Sequence, residues 1–161
     1  MSDKNTSMNW ELDSIFPRGS SSPEVTKSMD KIQNDILAIG NSVEKISVLS
    51  QSETDENLKI IMTKAQEIYA EISQLNSFAG CLEAQDVTDE KATTIVSRTT
   101  SFYADLGSIM TDIETYIVKM SDSAWSKFIQ SPQLKSVEFF WTEVRRITKL
   151  KMSPELEKIA V

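Results

Sequence analysis

The sequence offers one conventional strong nucleophile, the thiol of Cys81, and it contains no histidine. A thiol or hydroxyl nucleophile generally needs a neighbouring base, and imidazole is the usual one. The absence of histidine therefore removes the Ser/His and Cys/His mechanisms and every histidine metal ligand from this chain. Cys81 lies between Phe78 and Leu82 near a predicted helix end, a position typical of a small buried hydrophobic residue.

Carboxylates are the second group of candidates, because a pair of them can share a proton or bind a hard cation. Glu67 lies one helical turn before Glu71, and Asp86, Asp89 and Glu90 are close in sequence. The chain contains neither the D-x-[DN]-x-[DN]-G spacing of a calcium loop nor a glycine-rich phosphate loop. The sequence therefore favours a solvated helix face or a helix cap for these carboxylates.

Charge is distributed unevenly along the chain, whose formal net charge is -7. Residues 53–91 contain nine acidic and three basic side chains, whereas residues 131–161 contain six basic and four acidic ones. In the second region, Arg145 and Arg146 could bind a carboxylate of a peptide or of a partner domain through forked hydrogen bonds. The alternative is a favourable position near a helix C-terminus with salt bridges inside the bundle. The negative total disfavours nucleic acid and anionic membrane surfaces as partners.

Helices are the elements that must position these residues. Apolar side chains recur at steps of three and four over three long segments, which places each set on one helix face. No segment alternates apolar and polar residues over the length of a strand. The predicted buried positions are Val25, Met29, Ile32, Ile36, Ile39, Val43 and Ile46 in the first helix, Leu58, Ile61, Ala65, Ile68, Ile72, Leu75, Ala79 and Leu82 in the second, and Ala92, Ile95, Thr99, Phe102, Leu106, Ile109, Ile113, Tyr116 and Met120 in the third.

Polar residues predict where these helices begin, because a side-chain oxygen can accept a hydrogen bond from a free N–H group of the first turn. Proline is favoured at the first helical position, which supports a start at Pro23. The predicted N-caps are Ser22 for the first helix, Ser52 or Thr54 for the second, and Thr88 or Asp86 for the third.

Shorter helices are predicted in the C-terminal part. Residues 121–125 (SDSAW) begin a short helix that Pro132 ends, since the residue before a proline is pushed out of helical geometry. Residues 153–155 (SPE) are predicted to cap one more helix. The buried positions predicted here are Trp125, Phe128 and Ile129 in the short helix, followed by Leu134, Val137, Trp141, Val144 and Ile147 in the last full helix.

The sequence thus predicts an all-α protein, an elongated antiparallel bundle of three long helices followed by shorter C-terminal helices. Residues 1–22 are predicted to form an N-terminal extended segment and residues 23–161 a helical domain. A bundle of this kind leaves one helix face poorly covered. Because Phe139, Phe140 and Trp141 follow one another and cover more than one face, at least one of them is expected to be exposed.

The compartment is predicted from three features of the sequence. No stretch approaches the roughly 18 consecutive apolar residues of a membrane span, and residues 1–10 lack the apolar core of a signal peptide. A single cysteine permits no internal disulfide, which fits a reducing compartment. We therefore expect a cytoplasmic protein.

Three local strings are more specific than the helical pattern. Residues 10–17 (WELDSIFP) and 77–89 (SFAGCLEAQDVTD), in this order and separation, resemble the N-terminal region of oligoendopeptidase F-type peptidases. Arg145 and Arg146 followed by residues 151–157 (KMSPELE) are similar to the stretch that leads toward the peptidase domain of that family. The residues that carry the resemblance, with structural roles expected for them, are Trp10, Leu12, Ile15, Phe16, Cys81, Leu82, Ala84, Gln85, Asp86, Thr88 and Asp89.

The resemblance implies a part of a cytoplasmic zinc metallopeptidase that cleaves short peptides. In that family a helical N-terminal domain forms part of the wall of a substrate channel, so the implied partners are a catalytic peptidase domain and an oligopeptide substrate. The zinc site of the family uses H-E-x-x-H, where two histidines bind the metal and the glutamate activates water. No residue of this chain matches that motif, so the catalytic domain and its zinc are expected outside it and the chain is expected to be inactive alone.

A rival hypothesis from another class fits the same apolar seams. The chain would then be a freestanding, coiled-coil-like interaction or dimerisation protein that binds a partner helix or a second copy of itself. Self-association is also open under the first hypothesis.

Overall fold

The computed structural model describes residues 10–46 and 51–150, without the side chains of residues 51–53. Five α-helices follow one another and no strand occurs in this part of the chain, which confirms the all-α class. Three of the helices are long and the two after them are shorter, as predicted. Their bounds are α1 Pro23–Lys45, α2 Gln51–Gln85, α3 Glu90–Lys119, α4 Asp122–Ile129 and α5 Glu138–Leu150.

Residues 10–22 fold into successive turns, where the sequence predicts an extended segment. The carboxylate of Asp13 accepts a hydrogen bond from the backbone N–H of Arg18 at 3.0 Å and so closes the chain on itself. Arg18 and Gly19 have φ values of 71° and 59°, in the left-handed region, where glycine is tolerated without steric cost. A short 3-10 turn, Gly19–Ser21, then leads into α1.

The chain divides into two compact units. Of the described residues, unit 1 contains 10–38 and 67–106, and unit 2 contains 39–46, 51–66 and 107–150. Each of the three long helices therefore contributes one portion to each unit.

Unit 1 has a core built from the predicted faces of α1, α2 and α3. Tyr69 lies against Tyr103, and Thr99 donates to the amide oxygen of Asn76 at 2.8 Å. Since the residue number rises along α2 as it falls along α3, these two helices are antiparallel in this unit. Met29 and Leu82, predicted as buried, are only half-buried. The buried apolar residues are Val25, Ile32, Ile36, Ile68, Ile72, Leu75, Phe78, Ala79, Ala92, Ile95, Phe102 and Leu106.

Unit 2 has a second core, and most of the α3 positions predicted to be buried in it are only half-buried. On α3 the buried residue after Ile113 is Ile117, whereas Ile109, Tyr116 and Met120 are half-buried. The apolar face continues by a step of four residues at this point and not by the predicted step of three. The buried apolar residues are Ile39, Val43, Ile46, Leu58, Ile61, Met62, Ala65, Ile113, Ile117, Trp125, Phe128, Ile129, Leu134, Val137 and Trp141.

The predicted face of α5 is also corrected. Val144 is half-buried and Ile147 is 49% exposed, so neither completes the core as expected. Arg145, one helical turn after Trp141, is buried instead. A charged side chain takes this position because hydrogen-bond acceptors surround its guanidinium, as described below.

Two helix starts differ from the predictions. The helix α2 has begun by Gln51, so Ser52 and Thr54 lie inside it and do not cap it. The helix α3 begins after Asp89, whose Oδ1 atom accepts from the N–H groups of Lys91 and Ala92, each at 3.0 Å. The side chain of Asp89 is close enough to accept from two free N–H groups of the first turn. Asp86 and Thr88 lie earlier in the chain, and their side chains do not reach these groups.

Three other boundary predictions are confirmed. Pro23 is the first residue of α1, as predicted, and the hydroxyl of Ser22, the predicted N-cap, donates to the carboxylate of Glu24 at 2.7 Å. Ser121 caps α4 by accepting from the N–H of Ala124. The helix α4 ends before Pro132. The predicted cap at residues 153–155 and the string at 151–157 lie outside the described residues.

Candidate functional site

Two of the three strings that carry the family resemblance, residues 10–17 and 77–89, meet in unit 1. Gln85, the last residue of α2, donates from its Nε2 atom to the backbone carbonyl oxygen of Trp10 at 3.0 Å. Seventy-five positions separate the two residues along the chain. The end of α2 therefore holds the beginning of the described N-terminal segment.

An aromatic contact joins the same two strings a few residues further on. The rings of Phe16 and Phe78 lie 4.9 Å apart between centroids with an interplanar angle of 65°, an edge-on arrangement. Such pairs are worth about 0.5–1.5 kcal/mol beyond the apolar area that they bury. The N–H groups of Ile15 and Phe16 both donate to the carbonyl oxygen of Leu12, which turns the segment toward α2.

A cavity of about 260 Å³ lies where the segment meets α2. Its volume is slightly below the range of about 300–1,000 Å³ typical of small-molecule sites, so it suits one side chain or a short stretch of peptide. Apolar and polar groups share its wall, and Trp10 is 57% exposed there. The lining residues are Trp10, Glu11, Leu12, Asp13, Gly19, Leu82 and Gln85. We call this site the segment groove.

The segment groove is suited to binding a ligand through charge and aromatic contact. Among the described residues that line it, the charged groups are the carboxylates of Glu11 and Asp13, and no thiol, hydroxyl or basic side chain is present. Carboxylates and the indole face attract cationic groups such as an ammonium or a guanidinium. The groove therefore has the means to hold a positively charged group.

The rest of the second string builds the turn between α2 and α3. The Oδ1 atom of Asp86 accepts from the backbone N–H of Thr88 at 2.9 Å and from its hydroxyl at 2.6 Å. These hydrogen bonds, the hydroxyl one first, hold the pKa of Asp86 below its ordinary value. With Asp89 as the cap of α3, all three residues have structural roles at this turn.

The remaining residues singled out from the sequence are not brought into the groove. Cys81 is half-buried, where the sequence predicts a buried position, and Ala84 is exposed. Glu71 accepts from the ammonium of Lys31 at 2.6 Å and 2.7 Å, as part of a surface ion pair. Glu71 and then Asp35, both bonded to it, raise the pKa of Lys31.

Arg145 and Arg146 are separated by the fold. Arg145 is buried in unit 2 and donates to the carbonyl oxygen of Ile117 at 2.8 Å, to that of Met120 at 2.6 Å and to Asp122 at 2.8 Å. Its guanidinium also lies 5.2 Å from the ring centroid of Trp125. These contacts agree with the structural alternative, a cation at a helix C-terminus.

Arg146 lies on the outer side of α5. Its guanidinium bonds both carboxylate oxygens of Glu143 at 2.9–3.2 Å, and this hydrogen bonding lowers the pKa of Glu143. The sequence contains a signal that distinguishes the two arginines, because Arg145 follows Trp141 by four residues and so shares its buried face.

The resemblance places the zinc in the catalytic domain, outside this chain. The sequence has no histidine, and the described residues contain no group of three or more cysteine, aspartate and glutamate side chains arranged to hold a metal ion. In the same part of the chain, no helix has the length and apolar character needed to cross a membrane.

A scan of known protein families, a search of curated proteins and a search of solved structures each return no match to this chain. The resemblance to oligoendopeptidase F therefore stays a prediction that rests on the residues quoted for it.

Proposed function

We propose that this chain is the N-terminal helical lobe of an oligoendopeptidase F-like zinc metallopeptidase. It would form part of the wall of the oligopeptide-substrate channel and would be catalytically inactive on its own. The catalytic domain, with its zinc, would be its partner. The single observation that supports this proposal is the hydrogen bond from Gln85 to Trp10, because it joins two of the three strings of the resemblance into one local structure.

The segment groove gives the lobe a way to act on peptides without chemistry of its own. Glu11 and Asp13 would attract the amino terminus or a basic side chain of an extended peptide, and Trp10 would pack against it. A wall of this kind selects its substrates by shape and charge, since an extended peptide reaches a shallow groove that a folded protein cannot enter. We propose the cytoplasm as the compartment, because a single cysteine permits no internal disulfide and this fits a reducing environment.

Binding at the groove can be measured through Trp10, which is the exposed one of the three tryptophans. We expect short basic peptides to change the tryptophan emission of the chain at lower concentrations than acidic peptides of equal length. Trp10→Phe should remove the change and Gln85→Ala should weaken it. Val87→Ala, at an exposed position of the neighbouring turn, is the matched control. Equal responses to basic and acidic peptides would count against the groove.

Catalytic inactivity is tested separately. The purified chain with added zinc should not hydrolyse short fluorogenic peptides. Metal-dependent turnover that persists after contaminating proteases have been removed would overturn the proposed role of a wall.

The coding sequence offers the most economical test of the lobe itself. An H-E-x-x-H motif downstream of Val161 in the same reading frame would support the proposal. A stop codon at that point, with no peptidase gene nearby, would instead favour the freestanding interaction protein.

A further inference from the structure

The outer side of α5 presents an apolar face to solvent. Phe139 is 81% exposed, Leu150 73%, Ile147 49% and Phe140 48%. At about 100° per residue, these four side chains fall within roughly 100° of one another around the helix. Since the inner side of α5 carries the buried Trp141, the helix has one apolar face inside the unit and another outside it. We call the four exposed residues the outer stripe.

The charges on the same side of α5 are arranged symmetrically within the stripe. Glu143 and Arg146 lie between its two ends, at equal distances from the midpoint between residues 144 and 145. Phe139 and Leu150 are also equidistant from that midpoint. A twofold axis through it would therefore place Glu143 opposite Arg146 of a second copy and Phe139 opposite its Leu150. The two end residues and the charged pair therefore complement themselves about this axis, as an isologous contact requires, whereas Phe140 and Ile147 are not equidistant from it.

We propose that two copies of this chain associate through the outer stripe, with their α5 helices antiparallel about a twofold axis. The apolar residues supply the driving force, and the two exchanged pairs of Glu143 and Arg146 set the direction. This interface is independent of the segment groove and of the peptidase proposal, because all of its residues lie in unit 2 and none lines the groove.

The size of the stripe indicates how tight the dimer is. An aromatic side chain presents about 150–250 Å², so the four residues expose on the order of 400 Å² per chain. A stable interface buries about 800 Å² per partner. The dimer is therefore weak and reversible, with a dissociation constant in the micromolar range.

The test is sedimentation of the full chain from about 5 to about 500 µM, a range that brackets such a constant. The average mass should rise with concentration from 18.1 kDa toward twice that value. Phe139→Glu should abolish the rise. Leu37→Glu, at a similarly exposed apolar position on α1, should leave it unchanged. Circular dichroism checks that each variant is folded.

Charge reversal tests the antiparallel direction. Glu143→Arg alone and Arg146→Glu alone each place like charges opposite one another, which should weaken association by roughly tenfold or more. The double reversal restores opposite charges and should restore the dimer. A mass of 18.1 kDa at every concentration would overturn the proposal. A dimer that neither Phe139→Glu nor the single reversals weaken would overturn it as well.

Discussion

The Nε atom of Arg145 on α5 donates to the carbonyl oxygen of Ile117 on α3 at 2.8 Å. The same guanidinium donates to Met120, the residue that follows α3, at 2.6 Å. The last four carbonyl groups of a helix have no partner within the helix. One side chain thus satisfies two acceptors at the end of α3 and opposes the negative end of the helix dipole.

Arg145→Met is therefore expected to lower the free energy of unfolding by about 2–4 kcal/mol, because it removes charge-assisted hydrogen bonds and leaves carbonyl acceptors without a donor. Methionine keeps most of the volume, so the loss reports the guanidinium and not a cavity. Urea unfolding followed by circular dichroism measures the change.

Arg146→Met is the control for that measurement. Among the described contacts, Arg146 bonds only to Glu143, on the same exposed side of α5. Exposed ion pairs contribute about 0–1 kcal/mol to the free energy of unfolding. Equal losses for the two variants would contradict the structural role assigned to Arg145.

A second prediction concerns the stability of the protein at acidic pH. Hydrogen bonds from Lys149 and then Arg145 hold the pKa of Asp122 below its ordinary value of 3.8. A carboxylate whose pKa is depressed by folding stabilises the protein above its unfolded pKa, and this contribution is lost as the pH falls through the folded value. Asp122→Asn should therefore destabilise the protein at neutral pH, and its difference from the wild type should shrink below about pH 4.

Urea midpoints measured between about pH 7 and pH 3 check this window. Lys149→Met removes the largest cause of the lowered pKa, so the acid loss of stability should move to higher pH. If the urea midpoints of the wild type and Asp122→Asn fall identically with decreasing pH, these hydrogen bonds do not form in solution.

The long helices were predictable because each carries an apolar residue at every third or fourth position over many turns. Ile72 and Leu75, for example, are buried as the spacing predicts. The pattern weakens where a tertiary contact decides the outcome. The burial of Ile117 in place of Tyr116 depends on how α3 is rotated in unit 2, and no local spacing fixes that rotation.

The residues of the candidate site could be predicted from the sequence, but their arrangement in space could not. The motif strings identified Trp10 and Gln85 as residues of one family-like set. Only the fold shows that a side chain at the end of α2 reaches the backbone of a segment 75 positions earlier. Arg145 was named as a candidate for binding, but its burial depends on the position of the end of α3, which the sequence does not reveal.

The cap of α3 provides a third prediction. Asp89 accepts hydrogen bonds from two N–H groups of the first turn, so Asp89→Ala should lower the free energy of unfolding by about 1 kcal/mol. Asp89→Asn keeps an acceptor and should retain most of the stability. Asp105→Ala, at an exposed position in the middle of α3, should change it by less than about 0.5 kcal/mol. A loss at Asp105 as large as that at Asp89 would argue against the cap.

A fourth prediction tests the core of unit 1 at Ile72, whose side chain is fully buried on α2. Ile72→Ala removes three buried carbon atoms and leaves a cavity that the neighbouring side chains fill only in part, so the loss of stability should be about 2–5 kcal/mol. Ile60→Ala on the same helix is the matched control, since Ile60 is 67% exposed and the same atoms leave only solvent-facing space. A loss below about 0.5 kcal/mol at Ile72, measured by urea unfolding, would show that this face of α2 is not packed.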